Sequence, residues 1–122
     1  NFFNGIIDRA SLGCNRSTNL KNIFSEIYRV LKPKGLLYSS DLCSLEHPDL
    51  KFASKIIDND YLDFTEGVFH AAQQIHAFSA KELQSLTKQF INVDITHTST
   101  KSITNNIEKI ISCNYCLKVQ KP

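Results

Sequence analysis

The sequence predicts an α/β fold, and three features carry that prediction. The first 42 residues run apolar strand, amphipathic helix, apolar strand with short connections. A serine-led helical stripe begins at Ser79 after a less regular middle stretch. The chain then closes with two segments rich in β-forming residues.

The opening Phe2-Phe3-Asn4-Gly5-Ile6-Ile7-Asp8 is a short apolar run of buried-strand type, ended by the polar Asp8-Arg9. Gly13 to Thr18 is small and polar, a loop from which Ser17 or Thr18 caps a helix. Leu20, Ile23, Phe24, Ile27, Val30 and Leu31 form one helical stripe, with Lys21, Asn22, Ser25, Glu26 and Arg29 on the other faces. Pro33 stops this helix, Gly35 allows the reversal, and Leu36 to Leu42 is a second strand. A unit of this size forms a parallel pair with a right-handed crossover, so both strands end at one edge of the sheet. Asp8, Arg9 and Ser11 are then expected near Asp41 and Leu42, at the edge where open α/β folds bind ligands.

In the middle, Pro48 to Asp58 reads as a helix through Leu50, Ala53, Ile56 and Ile57, while Tyr61 to Ala72 has no clear period. Ser79-Ala80-Lys81-Glu82 fits a capping box in which Ser79 caps the third amide and Glu82 reaches back, and Leu83, Leu86, Thr87 and Phe90 continue the stripe. Ile91 to His97 alternates with period two, and Ile110 to Val119 is the last strand, with the turn inside Ser99 to Asn106. No linker or repeat divides the chain.

Composition excludes several classes. The net charge is +2 with scattered lysines, so no basic block tracks a phosphate backbone and nucleic acid is not an expected partner. No apolar run of about 18 residues and no signal-peptide pattern occurs, so no membrane partner is expected. The cysteines at 14, 43, 113 and 116 suit reduced thiols, and the expected location is the cytoplasm. Cys113 and Cys116 lie three apart within a strand and so face opposite ways; two further ligands at a zinc-like spacing are not evident, and no metal site is expected. Gly-x-Ser-x-Gly, Walker, His-Glu-x-x-His and Gly-x-Gly-x-x-Gly motifs are all missing, which removes hydrolase, nucleotide-hydrolase and dehydrogenase readings. The chain has no methionine and opens inside an apolar run at Asn1-Phe2-Phe3, from which we expect it to be a piece of a longer product.

Arg29-Val30-Leu31-Lys32-Pro33-Lys34-Gly35 closely resembles the RVLKPGG signature of class I S-adenosylmethionine-dependent methyltransferases, with Lys34 in place of the first glycine. Asn4 to Leu12 is similar to the family's fourth strand and its loop, and the Asp8-Arg9-x-x-Leu12 form resembles that of thiopurine-methyltransferase-like enzymes. The resemblance implies a partial Rossmann-like methyltransferase sheet in the order 4-5-7-6 of the family's numbering, with the last strand antiparallel and helices flanking it. It divides the chain into strand–helix–strand (1–43), an insertion that builds the acceptor region (44–78), and a helix with terminal antiparallel strands (79–122). It covers nearly the whole chain, yet its motifs are specific only in the first 42 residues.

The same resemblance implies the carboxy-terminal half of a methyltransferase. The glycines at 5, 13, 35 and 67 do not form the family's Gly-x-Gly-x-Gly cofactor turn. The resemblance implies S-adenosylmethionine as the cofactor of the complete enzyme, with Asp8, Arg9, Ala10 and Ser11 under its methionine part, and the missing turn implies weak or no binding by this chain alone. Asp41 has two readings: orienting a small-molecule acceptor or acting as a base, and capping the turn that follows. His47, Phe69 and His70 are candidates for the acceptor pocket, against a role in packing or solvated loop. Loss of the preceding strands leaves Phe2 to Ile7 as an apolar edge, expected to be covered by the missing half or by a second copy. A non-enzymatic module for oligomerisation or partner binding is the alternative function.

Overall fold

The computed structural model describes residues 1–122. Strand β1 (Phe3–Arg9) leads through a 3₁₀ turn (Leu12–Cys14) into helix α1 (Ser17–Val30), and β2 (Leu31–Cys43) follows directly. β1 and β2 are parallel, in register from Gly5 opposite Leu36 to Arg9 opposite Ser40. The apolar stripe of α1 packs Leu20 and Phe24 into the core. Its amino end is not capped by Ser17 or Thr18, as the sequence suggested; Ser17 is already the first helical residue and follows an extended Arg16. The cap comes instead from Asp60, whose carboxylate accepts from the Ser17 amide at 3.1 Å and from its hydroxyl at 3.2 Å. A negative charge is favourable there because the first helical amides point outward.

At the entry to β2 the left-handed backbone belongs to Lys34 (φ 66°), not to Gly35. Gly35 is needed for space: a Cβ there would stand 2.8 Å from the Lys32 carbonyl oxygen. The resemblance placed a glycine at position 34, and the backbone keeps the conformation that glycine tolerates best.

The helix expected over Pro48 to Asp58 is absent. A 3₁₀ turn (Pro48–Phe52) gives way to β3 (Ala53–Ile57), which pairs with β4 (Asp60–Phe64), and β5 (Gln74–His76) completes a small antiparallel sheet. The reason is local: Asp58 (φ 51°) and Asn59 (φ 62°) both adopt the left-handed region, as a two-residue hairpin turn demands, and β-branched Ile56-Ile57 precedes them.

Ser79 caps α2 (Ala80–Leu86), its Oγ accepting from the Glu82 amide at 3.1 Å. Glu82 does not reach back to close the box, because its carboxylate is bound to His76. β6 (Ile91–Thr104) and β7 (Ile107–Gln120) form a hairpin longer than its alternation suggested, turning at Asn105 and Asn106 (φ 50° and 61°). The main sheet runs β1-β2-β7-β6, with β7 antiparallel to both neighbours. This is the order and direction that the methyltransferase resemblance implied.

One face of the sheet carries the core. Leu37, Leu117 and Val119 point inward against Leu20 and Phe24 of α1 and Leu83 of α2. The opposite face, with Leu36 and Tyr38, is exposed. β1, read as a buried strand, is bare as well: Phe2 is 71%, Phe3 53% and Ile7 86% exposed, because β1 is an edge and only one side of it is covered. No helix is long and apolar enough to cross a membrane.

Candidate functional site

The carboxyl ends of β1 and β2 bring together the residues expected there. The Asp8 carboxylate accepts from Ser39 Oγ at 2.6 Å and from Ser11 Oγ, so both of its oxygens are held. Ala10 turns the chain with φ 65°, and its amide donates to the Ser40 carbonyl at 2.9 Å. Arg9 Nε pairs with Asp41 Oδ2 at 2.9 Å, with the side chains 83% and 48% exposed. An ion pair so open adds little stability and leaves both groups available to a ligand. Asp41 is itself left-handed (φ 56°) and lies where the β2–β7 register shifts, between Ser39 and Leu42. Two left-handed non-glycine residues on adjacent strand ends, backed by a fixed carboxylate, are the kind of strain that collects at ligand sites.

Asp8, Arg9, Ala10, Ser11 and Asp41 lie together at the carboxyl ends of β1 and β2. They carry two carboxylates, a guanidinium and one hydroxyl, and β1 is the last strand of its sheet, so no further strand flanks them on that side. The principal surface clefts are lined by other residues.

The acceptor candidates divide. His47 is buried, its Nδ1 accepts from the Asp49 amide at 3.1 Å, and its ring lies 4.8 Å from that of Phe69. Burial outweighs the Asp49 charge and holds its pKa below the usual value. Phe69 packs with Phe64 on the small core of the insertion, and His70 faces solvent. His47 and Phe69 are thus together and His70 is apart from them.

Two groupings escaped the sequence reading. His76, fully buried, binds Asp60 through Nδ1 at 2.7 Å and Glu82 through Nε2 at 2.8 Å. Asp60 in turn caps α1, so this histidine ties the insertion to both helices. Second, His97, Cys113 and Glu46 converge, with donor atoms all within 4.8 Å of one another. Cys116 faces the other way, 3.5 Å from the Tyr38 hydroxyl. Cys43, buried close by, has its thiol pushed up to about 12 by burial and by Cys113.

No family model matches the sequence, and no curated protein does. Solved structures match along almost the whole chain. A SAM-dependent methyltransferase from Methanosarcina mazei superposes with a TM-score of 0.67 and 21% identity over 98% of this chain and 59% of that one. The 1,6-didemethyltoxoflavin-N1-methyltransferase of Burkholderia thailandensis, solved with bound 1,6-didemethyltoxoflavin and S-adenosylhomocysteine, gives 0.58 and 17% over 98% and 44%. The N-methyltransferase NodS of Bradyrhizobium japonicum, also with S-adenosylhomocysteine, gives 0.55 and 11% over 99% and 47%. The chain therefore has a class I methyltransferase fold. It spans about half the length of these structures.

Proposed function

We propose that this chain is the carboxy-terminal part of an enzyme that transfers a methyl group from S-adenosylmethionine to a small-molecule acceptor, and that it does not turn over alone. The observation that carries this reading is the grouping of Asp8, Arg9, Ala10, Ser11 and Asp41 at the carboxyl ends of a parallel strand pair. Methyl transfer depends chiefly on proximity and alignment, so a shaped loop serves it without a strong acid or base. In this reading Arg9 and Ser11 contact the methionine end of the cofactor, with Asp8 holding Ser11 in place. Asp41 orients Arg9 or the acceptor, and His47 and Phe69 form the inner side of the acceptor region with His70 at its rim. The lysines are scattered and form no basic block, which favours a small-molecule acceptor over a polynucleotide. The cytoplasm is the proposed location.

The exposed apolar β1 supports a second reading, a non-enzymatic module that associates through this edge. Calorimetry of the chain against S-adenosylmethionine and S-adenosylhomocysteine tests the first reading's account of an incomplete site. No heat at micromolar concentrations is expected. Micromolar binding, about −8 kcal/mol, would mean that these residues complete the crevice themselves.

A further inference from the structure

The Nε2 atom of His97 is oversubscribed. It stands 2.9 Å from Ser44 Oγ, 3.0 Å from Cys113 Sγ and 3.7 Å from Glu46 Oε2. A ring nitrogen has either one lone pair or one N–H, so it satisfies one of these neighbours and leaves the others facing each other. A hydroxyl, a thiol and a carboxylate around one imidazole nitrogen make a crowded and poorly bonded arrangement for a protein alone. They make an ordinary one around a cation.

The donors are held by rigid elements. His97 and Tyr115 are cross-strand partners, their rings stacked at 4.3 Å and 16°, which fixes the imidazole plane. Ser99 and Cys113 are the next pair on the same face, so His97 and Cys113 meet diagonally across the hairpin. Glu46 follows the carboxyl end of β2, its amide bonded to Ser44 Oγ at 3.1 Å, and its side chain is 76% exposed and free to swing. Cys113 is buried at the floor, and the cleft above it, about 170 Å³, is lined by Glu46, His97, Thr98, Ser99, Ile110 and Cys113.

We propose that Glu46, His97 and Cys113 form a three-ligand zinc(II) site with its fourth position open to the cleft. The chemistry selects the metal: one thiolate, one imidazole and one carboxylate suit borderline-soft Zn²⁺, whereas Mg²⁺ and Ca²⁺ require oxygen ligands. The charges also suit it, since a thiolate and a carboxylate neutralise a divalent ion while His97 binds as a neutral ring. Tetrahedral zinc at ordinary bond lengths sets its donors about 3.3–3.7 Å apart. The Cys113–His97 pair opens by a few tenths of an ångström to reach that spacing, and Glu46 closes in by rotating its exposed side chain. Three protein ligands and an open position are the arrangement in which zinc binds water or a substrate heteroatom. The site is independent of the methyl-transfer reading, because none of its ligands belongs to the Asp8–Ser11 group.

Co²⁺ titration of the chain under a non-thiol reductant, followed by Zn²⁺ displacement, tests the site. The expected result is one equivalent of tetrahedral Co²⁺ with a thiolate-to-metal charge-transfer band, displaced by one equivalent of Zn²⁺. Cys113→Ser removes the band and weakens zinc by about a hundredfold, and Glu46→Gln weakens it by about tenfold, as judged by competition with a chromophoric chelator. Glu46→Gln alters only an exposed side chain and so reports on the metal with the fold intact. Cys116→Ser, on the opposite face, leaves the band unchanged. A band that persists in Cys113→Ser, unaltered zinc affinity in Glu46→Gln, or no metal uptake by the wild type would each overturn the proposal.

Discussion

His76 is enclosed on every side, and two carboxylates lie within hydrogen-bonding distance of its ring, at 2.7 Å (Asp60) and 2.8 Å (Glu82). Burial by itself lowers its pKa, but hydrogen bonds and charge from Glu82 and Asp60 outweigh burial, and the net shift is upward. A raised folded-state value means that protonated His76 stabilises the fold fully below the unfolded value of about 6.5. That contribution is lost as pH rises from there through the raised folded value. The urea midpoint of the wild type is therefore expected to fall across this range, and His76→Gln should lack that component; parallel pH profiles for the two proteins would refute the assignment. His76 was not legible in the sequence because Asp60, Glu82 and His76 come from three elements whose packing only the fold supplies. The Asp8–Ser11 and Asp41 neighbourhood was legible, since a parallel strand pair must end at one edge. His97 and Cys113 show the limit most clearly. Counting back from the Asn105-Asn106 turn places them on opposite faces, and the register shift between Thr100 and Lys101 brings them to the same one.

At the scale of elements, the strand–helix–strand unit followed from its periodicities, while the insertion did not. Leu50, Ala53, Ile56 and Ile57 mimic a helical stripe, but the left-handed pair Asp58-Asn59 and the β-branched residues before it select a hairpin. The insertion's joint to the rest is Asp60, which caps α1 and pairs with His76. Asp60→Ala leaves the α1 amides uncapped and one side of a buried imidazolium unpaired. It is expected to cost about 3–5 kcal/mol in chemical denaturation, the range for breaking a buried charged pair. A loss below about 1 kcal/mol, typical of an ordinary cap alone, would mean that the His76 link contributes nothing.

The whole molecule is a mixed four-stranded sheet with helices on one face, and its strand order agreed with the order implied by Arg29 to Gly35 and Asn4 to Leu12. The resemblance already implied that Phe2 to Ile7 is an apolar edge, and β1 is one; the open second face was not legible, because an apolar run reads as burial whatever provides it. Such an edge offers unpaired backbone and apolar side chains at once. We expect the chain to associate with rising concentration in size-exclusion chromatography, and Ile7→Lys, at an 86% exposed position, to keep it monomeric. A wild type that stays monomeric and well folded by circular dichroism would count against a covered edge. The central claim is that residues 8–11 with Asp41 are one wall of a cofactor site. Its most direct test is a backbone NMR titration of the labelled chain with S-adenosylhomocysteine. The predicted result is saturable shifts at the amides of Asp8 to Ser11 and of Asp41 and Leu42, with a dissociation constant of about 1 mM, or −4 kcal/mol. Unmoved amides at about ten times that concentration, or shifts centred elsewhere on the fold, would contradict it.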